Sequence, residues 1–206
     1  MKKVIFVVIL VLTIIYSFGN DFVSCRLIFS DSTILIGYAK MPNMMDKYVT
    51  FMGFDNETKK IYSDKLVCMI FSKENDTICY QRVLTYKNYA NKKVDKRKSW
   101  LKVLKSGYMN LYYGFQPGTN SPSINMWYCK KANDSIAYFI SMKYSGGLVF
   151  TVGTNNSFEK NASIYFNDYT ELSTNILKGK YKFDDLELIV DEYNKWKEDN
   201  INSIKE

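Results

Sequence analysis

Apolar residues along this chain follow two different periods, and the change comes near residue 152. Before that point they form short runs rich in Val, Ile, Thr, Tyr and Phe, and turn residues separate these runs. Runs of this kind predict β-strands. Beyond it, Ile164, Tyr165, Tyr169, Leu172 and Ile176 recur at a spacing of about 3.6 residues, which predicts an amphipathic helix.

The predicted strands are short and closely spaced. Ser30-Asp31-Ser32 predicts a tight hairpin between the first two, and Asp55-Asn56-Glu57-Thr58 predicts a turn after the third. The predicted strands are Phe22 to Phe29, Thr33 to Lys40, Lys47 to Phe54, Lys60 to Ser63, Leu66 to Phe71, Thr77 to Leu84, Trp100 to Leu104, Tyr108 to Phe115, Ile124 to Lys130, Ser135 to Tyr144 and Leu148 to Val152.

Two helices are predicted at the C-terminal end, over about residues 158–178 and 184–198. Gly179 follows the first, where a residue in the left-handed conformation ends many helices. Strands first and helices last predict an α+β fold. We expect a curved antiparallel β-sheet or barrel-like β domain, followed by two C-terminal amphipathic helices.

The start of the second helix has a strong local signal. Asp184 as N-cap, with Glu187 three residues later, makes a capping box. Phe183 and Leu188 have the spacing of a hydrophobic staple across that cap.

The first nineteen residues predict a secretory signal peptide. Lys2 and Lys3 form a positive region, an apolar run follows from Val4 to Ile15, and Ser17 and Gly19 fit a small-x-small cleavage site. The mature chain, residues 20–206, has the length of a single domain. It is expected to be periplasmic or secreted.

Two other uses of the N-terminus remain open. The segment from Val4 to Phe18 could stay as an uncleaved anchor, although a spanning helix usually needs about 20 apolar residues. Cys25 could instead become the lipidated first residue of a lipoprotein, although polar Gly19-Asn20-Asp21 separates it from the apolar run.

The charge balance does not indicate a nucleic-acid partner. Lys plus Arg number 28 and Asp plus Glu 21, which gives a formal net charge of +7. Such an excess is mild for nucleic-acid binding. Asn, Lys, Ile and Tyr are abundant throughout the chain, so its lysine content is weak support for any acidic partner.

Four cysteines, Cys25, Cys68, Cys79 and Cys129, would meet an oxidising compartment after export. They permit two disulfides in three connectivities. Cys68 and Cys79 flank the predicted turn from Lys73 to Asp76, so they could face each other across two strands. Four small buried hydrophobic residues are the alternative. Without histidine or a C-x-x-C pair, zinc is not expected.

No catalytic set stands out, and no cofactor is expected. Histidine is absent, which removes Ser-His-Asp and Cys-His catalysis. No phosphate-binding glycine loop occurs. The acidic pairs Asp184-Asp185 and Asp191-Glu192 could in principle serve a hydrolase, but a helix cap and a polar helix face account for them equally well.

Two groups of residues are candidates for binding. A polar stretch from Lys87 to Ser99 predicts a mobile loop, and phosphate, a polyanionic glycan or an anionic membrane are ligands that it could bind. Dense aromatic residues further on could stack on sugars or meet a protein, although cross-strand packing explains them as well. The candidate residues are Tyr86, Lys92, Lys93, Lys96, Arg97, Lys98, Trp100, Tyr113 and Trp127.

Several short motifs resemble exported proteins of Bacteroidetes, especially flavobacteria, for which no activity is established. They are Asp31-Ser32-Thr33 with Leu35-Ile36-Gly37-Tyr38, Lys47-Tyr48-Val49-Thr50-Phe51, Trp100-Leu101-Lys102-Val103-Leu104, Leu111-Tyr112-Tyr113 and Tyr165-Phe166-Asn167-Asp168-Tyr169. In such proteins the last motif often ends in cysteine, where this chain has Tyr169. The resemblance implies an envelope or secreted protein with a strand-rich domain and a helical tail.

The leading hypothesis is therefore a non-enzymatic envelope or secreted domain that binds a protein or a glycan. A carboxylate-dependent hydrolase of an envelope polymer is the alternative, and it requires two acidic side chains about 5 to 10 Å apart in a cleft. Peripheral attachment to a membrane through the basic loop is a third hypothesis. The sequence does not indicate an oligomeric state.

Overall fold

The computed structural model describes residues 22–73, 76–88, 93–145 and 154–203. The predicted signal peptide and the predicted strand from Leu148 to Val152 lie outside these ranges. The strands are β1 (Val23–Phe29), β2 (Ile34–Ala39), β3 (Tyr48–Met52), β4 (Thr58–Tyr62), β5 (Leu66–Lys73), β6 (Asp76–Val83), β7 (Tyr86–Asn88), β8 (Lys93–Val94), β9 (Ser99–Lys105), β10 (Met109–Gln116), β11 (Ser123–Lys131) and β12 (Tyr138–Ser145). The helices are α1 (Thr154–Tyr165), α2 (Thr170–Leu177) and α3 (Leu186–Ser203), with 3₁₀ turns at Ser63–Lys65 and Phe183–Asp185.

The predicted α+β class is confirmed, because antiparallel strands come first and helices last. The sheet has the order β12-β11-β10-β9-β6-β5-β1-β2-β3-β4, and β7 pairs separately with β8. The order ends at β12 and β4, so the sheet is not a closed barrel. The chain divides into two compact units: among described residues, 22–42 and 46–79 form the first, and 43–45 and 80–203 the second.

The first unit is built around β1, which pairs with β2 on one side and β5 on the other. Alternate residues of these strands point to one side, where Leu27, Met69 and Phe71 are fully buried. The predicted hairpin between β1 and β2 is confirmed. Ser32 takes a φ of 69° in its turn, and the Phe29 amide donates to the Thr33 carbonyl at 2.9 Å.

The second unit buries both faces of its strands. Leu111 of β10 and Cys129 of β11 pack with the helices, against residues such as Phe166 and Ile189. Their neighbours along the chain point the opposite way into another cluster. That cluster contains Met44, Val83, Leu101, Tyr112, Tyr128, Ala137 and Phe139. The period of two therefore gives this unit two apolar layers.

The first predicted helix is divided into α1 and α2, which is a difference from the prediction. The turn between them holds Asn167 and Asp168, which both favour turns over helix interiors. The Tyr169 amide donates to the Phe166 carbonyl at 2.9 Å and closes this turn. The predicted end at Gly179 is confirmed, since its φ is +72°.

The second predicted helix is present, but its cap differs. Asp185, not Asp184, accepts a hydrogen bond from the Lys182 amide, at 2.8 Å. Asp184 instead pairs with Lys143, whose Nζ lies 2.7 Å from Oδ1. The staple is also absent, because Leu188 is 59 % exposed. The α-helix begins two residues later than predicted, at Leu186, after a 3₁₀ turn that buries Phe183.

Asp168 ties the helical region to the strands of the second unit. Its carboxylate accepts from Tyr193 Oη at 2.6 Å, and it lies 2.9 Å from Lys131 Nζ and 3.3 Å from Lys197 Nζ. Partial burial opposes ionisation of this carboxyl, but the bonds from Tyr193 and Lys131 outweigh it and hold its pKa below the usual value. Two cations and a phenol thus stabilise one charged carboxylate.

Replacing this carboxylate should therefore cost stability in a pH-dependent way. A group with a lowered folded pKa stabilises the fold above its unfolded pKa and loses that effect as pH falls through the folded value. We expect Asp168→Asn to lose about 1 to 2 kcal/mol at pH 7, because the site is partly exposed and screened. Urea denaturation at pH 7 and near pH 3 should show the difference from wild type shrinking at the lower pH.

Asp199→Asn is the control, since Asp199 is an exposed aspartate on α3. It should change the free energy of unfolding little at either pH. An equal loss for Asp168→Asn at both pH values would show that its charge does not stabilise the fold.

Candidate functional site

The outward side of β1 to β5 forms a surface that we call the open face. Within the described residues of the first unit there are only strands and one 3₁₀ turn, so no helix of that unit covers it. Its outward positions are Ser24, Arg26 and Ile28 of β1, Ile34, Ile36 and Tyr38 of β2, Tyr48, Thr50 and Met52 of β3, Thr58, Lys60 and Tyr62 of β4, and Cys68, Ile70 and Ser72 of β5.

Strand register brings the apolar members of the open face together. Arg26 lies between Ile36 and Ile70, its cross-strand partners on either side. Ile28 lies opposite Ile34 in the same way. Because directly opposed side chains on one face of a sheet are neighbours, these aliphatic groups form a continuous patch.

The patch is exposed although the other side of the same strands is closely packed. Ile34 is 55 % exposed and Ile36 is 53 % exposed, whereas Leu27 on the inner side is fully buried. Phe54, in the turn after β3, is 74 % exposed. Isoleucine and phenylalanine are usually buried, and contiguous exposed apolar surface marks an interaction site more often than isolated apolar residues do.

This surface was missed in the sequence, although a signal for it exists. A strand with one solvated face alternates apolar and polar residues. In β2, however, the consecutive residues Ile34, Leu35 and Ile36 are all apolar, so both sides of the strand carry apolar side chains. Gly37 follows because the inner side has no room there: a Cβ would come within 2.6 Å of the Met52 carbonyl oxygen and would collide with the Phe51 ring.

Tyrosines line the part of the open face near β3 and β4. The rings of Tyr48 and Tyr62 are 4.7 Å apart and tilted by 52°, and their hydrogen bond raises the pKa of Tyr62. Nearby, Tyr38 meets Phe54 edge to face at 6.2 Å. Rings held against each other in this way need little further ordering when a ligand binds.

Charge on the open face has one sign. Arg26 and Lys60 are its two charged positions, and both are exposed. None of its outward strand positions is Asp, Glu, Asn or Gln. Acids lie in the turns of this unit, where Asp31 accepts from the Thr33 amide at 3.0 Å and Asp55 from the Glu57 amide at 3.1 Å.

Cys68, an outward residue of the open face, lies close to Cys79 of β6. Their Sγ atoms are 3.4 Å apart and both residues are half-buried. The hydrogen bond between the thiols raises the pKa of Cys68 and lowers that of Cys79. Cys25 and Cys129 are buried elsewhere, and burial raises the pKa of the Cys25 thiol to about 12.

The basic loop is only partly described. Lys96, Arg97 and Lys98 are exposed, Lys93 begins β8, and Lys92 lies outside the described residues. Of the predicted aromatic members of this group, Trp100 is buried and Tyr86 is half-buried. Trp100 is 1 % exposed under the Arg82 guanidinium, and Tyr86 meets Tyr138 edge to face at 6.2 Å.

Tyr113 and Trp127, the other predicted binding residues, are half-buried neighbours. Their rings are 5.3 Å apart. Trp127 also lies 4.8 Å from the ring of Phe183, and it packs against the core under the helices. The Tyr113 hydroxyl donates to Asn125 at 2.5 Å. The two rings therefore pack against each other within the second unit, and both remain partly exposed.

The acidic residues named for a hydrolase are engaged in separate contacts. Asp191 pairs with Lys105 at 2.7 Å, and Glu192 accepts from the Tyr181 hydroxyl at 2.6 Å, which raises the pKa of Tyr181 to about 12. Among the carboxyls of the described residues, the pKa departs from its usual value at Asp31 and Asp168, and it is lowered at both. A general acid needs the opposite shift.

The second unit has an open groove of about 600 Å³. It runs beside α3 along Asp191, Lys195 and Glu198. Its floor is fixed by Asn194, whose side chain accepts from the Met109 amide at 2.7 Å and donates to the Met109 carbonyl at 3.0 Å. These bonds attach α3 to β10.

Comparison with known proteins gives no match, since no protein-family model, curated protein or solved structure matches the chain. Within the described residues, no group of three or more Cys, Asp or Glu side chains is placed to hold a metal ion. No helix in the described part of the chain is long and apolar enough to cross a bilayer. The open face is therefore the candidate site that the geometry favours.

Truncation on the two sides of β1 and β2 should test this assignment. We expect Leu27→Ala to lose about 2 to 5 kcal/mol, because it leaves a cavity in a packed layer. Ile36→Ala, on the neighbouring strand but on the opposite side of the sheet, should lose less than about 1 kcal/mol. Equilibrium unfolding in urea measures both. Similar losses for the two variants would show that the open face is covered.

Proposed function

We propose that this chain is an exported, non-enzymatic binding domain that docks on a macromolecular surface through its open face. The observation that carries the proposal is the exposure of Ile34, Ile36 and Phe54 on one continuous surface. Burying an isoleucine contributes about 1.5 to 3 kcal/mol, so covering this surface would supply substantial binding energy.

The size of the open face also suits a docking surface. Strands are about 4.8 Å apart and alternate outward residues about 6.7 Å apart, so five strands with three outward residues each cover roughly 480 Å² in projection. The accessible area of protruding side chains exceeds their projection. It therefore approaches the roughly 800 Å² that each partner contributes to a standard interface.

Export supports this role and accounts for the cysteines. The segment before Asn20 has the pattern of a cleaved signal peptide, which would place the domain in the periplasm or outside the cell. In that compartment the Cys68 and Cys79 thiols would lose two protons and two electrons to a disulfide-exchange oxidant and form one Sγ–Sγ bond. This bridge would fasten β5 to β6 beside the open face.

Both features can be measured on protein isolated from its native compartment. We expect intact mass to show a chain that begins at Asn20 and has lost two hydrogens. Peptide mapping should find Cys68 joined to Cys79, with Cys25 and Cys129 alkylated only after unfolding. Because a short loop is closed, reduction should lower stability by about 2 to 3 kcal/mol. A chain that retains residue 1 would contradict cleavage of the signal peptide, and four free thiols would contradict the bridge.

Docking through the open face is tested with cell envelopes of the producing organism. The double variant Ile34→Ser/Ile36→Ser should be retained at least about tenfold less than wild type, since two aliphatic groups no longer contribute to burial. Co-sedimentation of the purified protein with envelopes measures the retained fraction.

Leu177→Ser/Leu188→Ser is the matched control, because both leucines are exposed apolar residues of the helices. It should be retained like wild type, and thermal unfolding should verify that both variants fold. Equal retention of the open-face variant and wild type would refute docking through this surface.

A further inference from the structure

We infer that the partner of the open face is an anionic lipid surface, on which the domain lies peripherally. This inference rests on the proposed function and names the class of surface to which the domain binds. Its outward strand positions carry apolar, aromatic, cationic, thiol and hydroxyl groups, and no anionic or amide group.

The positive charge of the open face is the first reason to expect an anionic partner. Arg26 and Lys60 are the charged strand positions of the open face and are both exposed. A partner that buries them must supply negative charge, because an unpaired buried charge is costly. Anionic headgroups supply it at the membrane surface, where each basic residue adds binding free energy.

A second copy of the chain is a poor partner for the open face, because it would bring the same positive charges. Twofold pairing of open faces would bring two copies of Arg26 and two of Lys60 into one interface, without an outward strand carboxylate to neutralise them. Pairing through the edge strand β4 meets a similar obstacle. Its central residue is Lys60, and like charges directly opposed across strands are destabilising.

The missing amides argue against a glycan or a specific protein surface. A site that recognises a defined ligand places polar groups to bind its donors and acceptors. The chain contains many asparagines, yet the open face offers only Ser24, Ser72, Thr50 and Thr58 besides its tyrosines and cations. A bilayer interface requires no such directional contacts.

The apolar and aromatic residues have the properties of an interfacial surface. Ile34 and Ile36 lie beside each other on β2 and are more than half exposed, so their aliphatic groups can enter the acyl boundary. Tyr48 and Tyr62 are each more than 40 % exposed. Tyrosine is enriched at membrane–water interfaces because its ring is apolar and its hydroxyl polar.

Vesicle co-sedimentation of the mature protein, which begins at Asn20, tests this inference. The probes are protein-free vesicles of phosphatidylcholine alone and of phosphatidylcholine with an equal share of phosphatidylglycerol. We expect binding to the anionic vesicles, weaker binding at high salt, and little binding to the neutral ones. Arg26→Gln/Lys60→Gln should reduce affinity for anionic vesicles about tenfold or more. Ile34→Ser/Ile36→Ser should reduce it comparably.

Lys96→Gln/Lys98→Gln is the matched control, because it removes the same charge from the exposed basic loop. It should bind like the wild type, and a greater loss here than for Arg26→Gln/Lys60→Gln would overturn the inference. Envelope binding through the open face without binding to protein-free vesicles would also overturn it, while leaving the proposed function intact. Sedimentation showing a dimer that Ile34→Ser/Ile36→Ser dissolves would assign the face to a second copy and refute a lipid partner.

Discussion

Packing on one side of β1 constrains the rest of the first unit. Leu27 is fully buried against residues such as Met69 and Phe71 of the neighbouring strand. Because side chains alternate along a strand, this packing directs Arg26 and Ile28 to the other side. A shift of one residue would bury Arg26 and expose Leu27, so the register is strongly specified. The open face is thus a direct consequence of how the inner face packs.

The two units use the same alternation with different results. In the second unit, Leu111 and Tyr112 are adjacent and point to opposite sides, and both are buried. Helices occupy one side there, and Asp168 holds their turn to Lys131 of β11. In the first unit only the inner side is packed. Strands with apolar residues at both alternating positions are therefore buried on both sides in the second unit. In the first unit such a strand has one buried side and one exposed side.

Because the same sequence pattern is buried in one unit and exposed in the other, the sequence alone does not predict which strand faces are exposed. Local features with one physical cause were predicted correctly: the β1–β2 hairpin around Asp31, and the helix end at Gly179. The helix cap at Asp184 was predicted wrongly, because Lys143 offers that carboxylate a partner far away in sequence. The division at Asp168 was missed for a similar reason, since its partners Lys131 and Tyr193 come from other elements.

The candidate site was harder to predict than the fold. Tyr113 and Trp127 attract attention as aromatic residues, yet their rings pack against each other, and Trp127 also packs against the core under the helices. Ile34 and Ile36 resemble ordinary core residues in the sequence, because hydrophobicity alone does not say whether a second layer covers a strand. Only the arrangement of neighbouring elements distinguishes an exposed aliphatic surface from a buried one.

The central claim is that the outward side of β1 to β5 is exposed in the free protein and covered in the bound one. Carbene footprinting with residue-level mass spectrometry, with and without cell envelopes, measures this most directly. The account predicts strong labelling of Ile34, Ile36 and Phe54 in the free protein and protection of these residues on binding, with Leu177 and Leu188 unchanged. Weak labelling in the free protein, or protection confined to the basic loop or the helices, would contradict it.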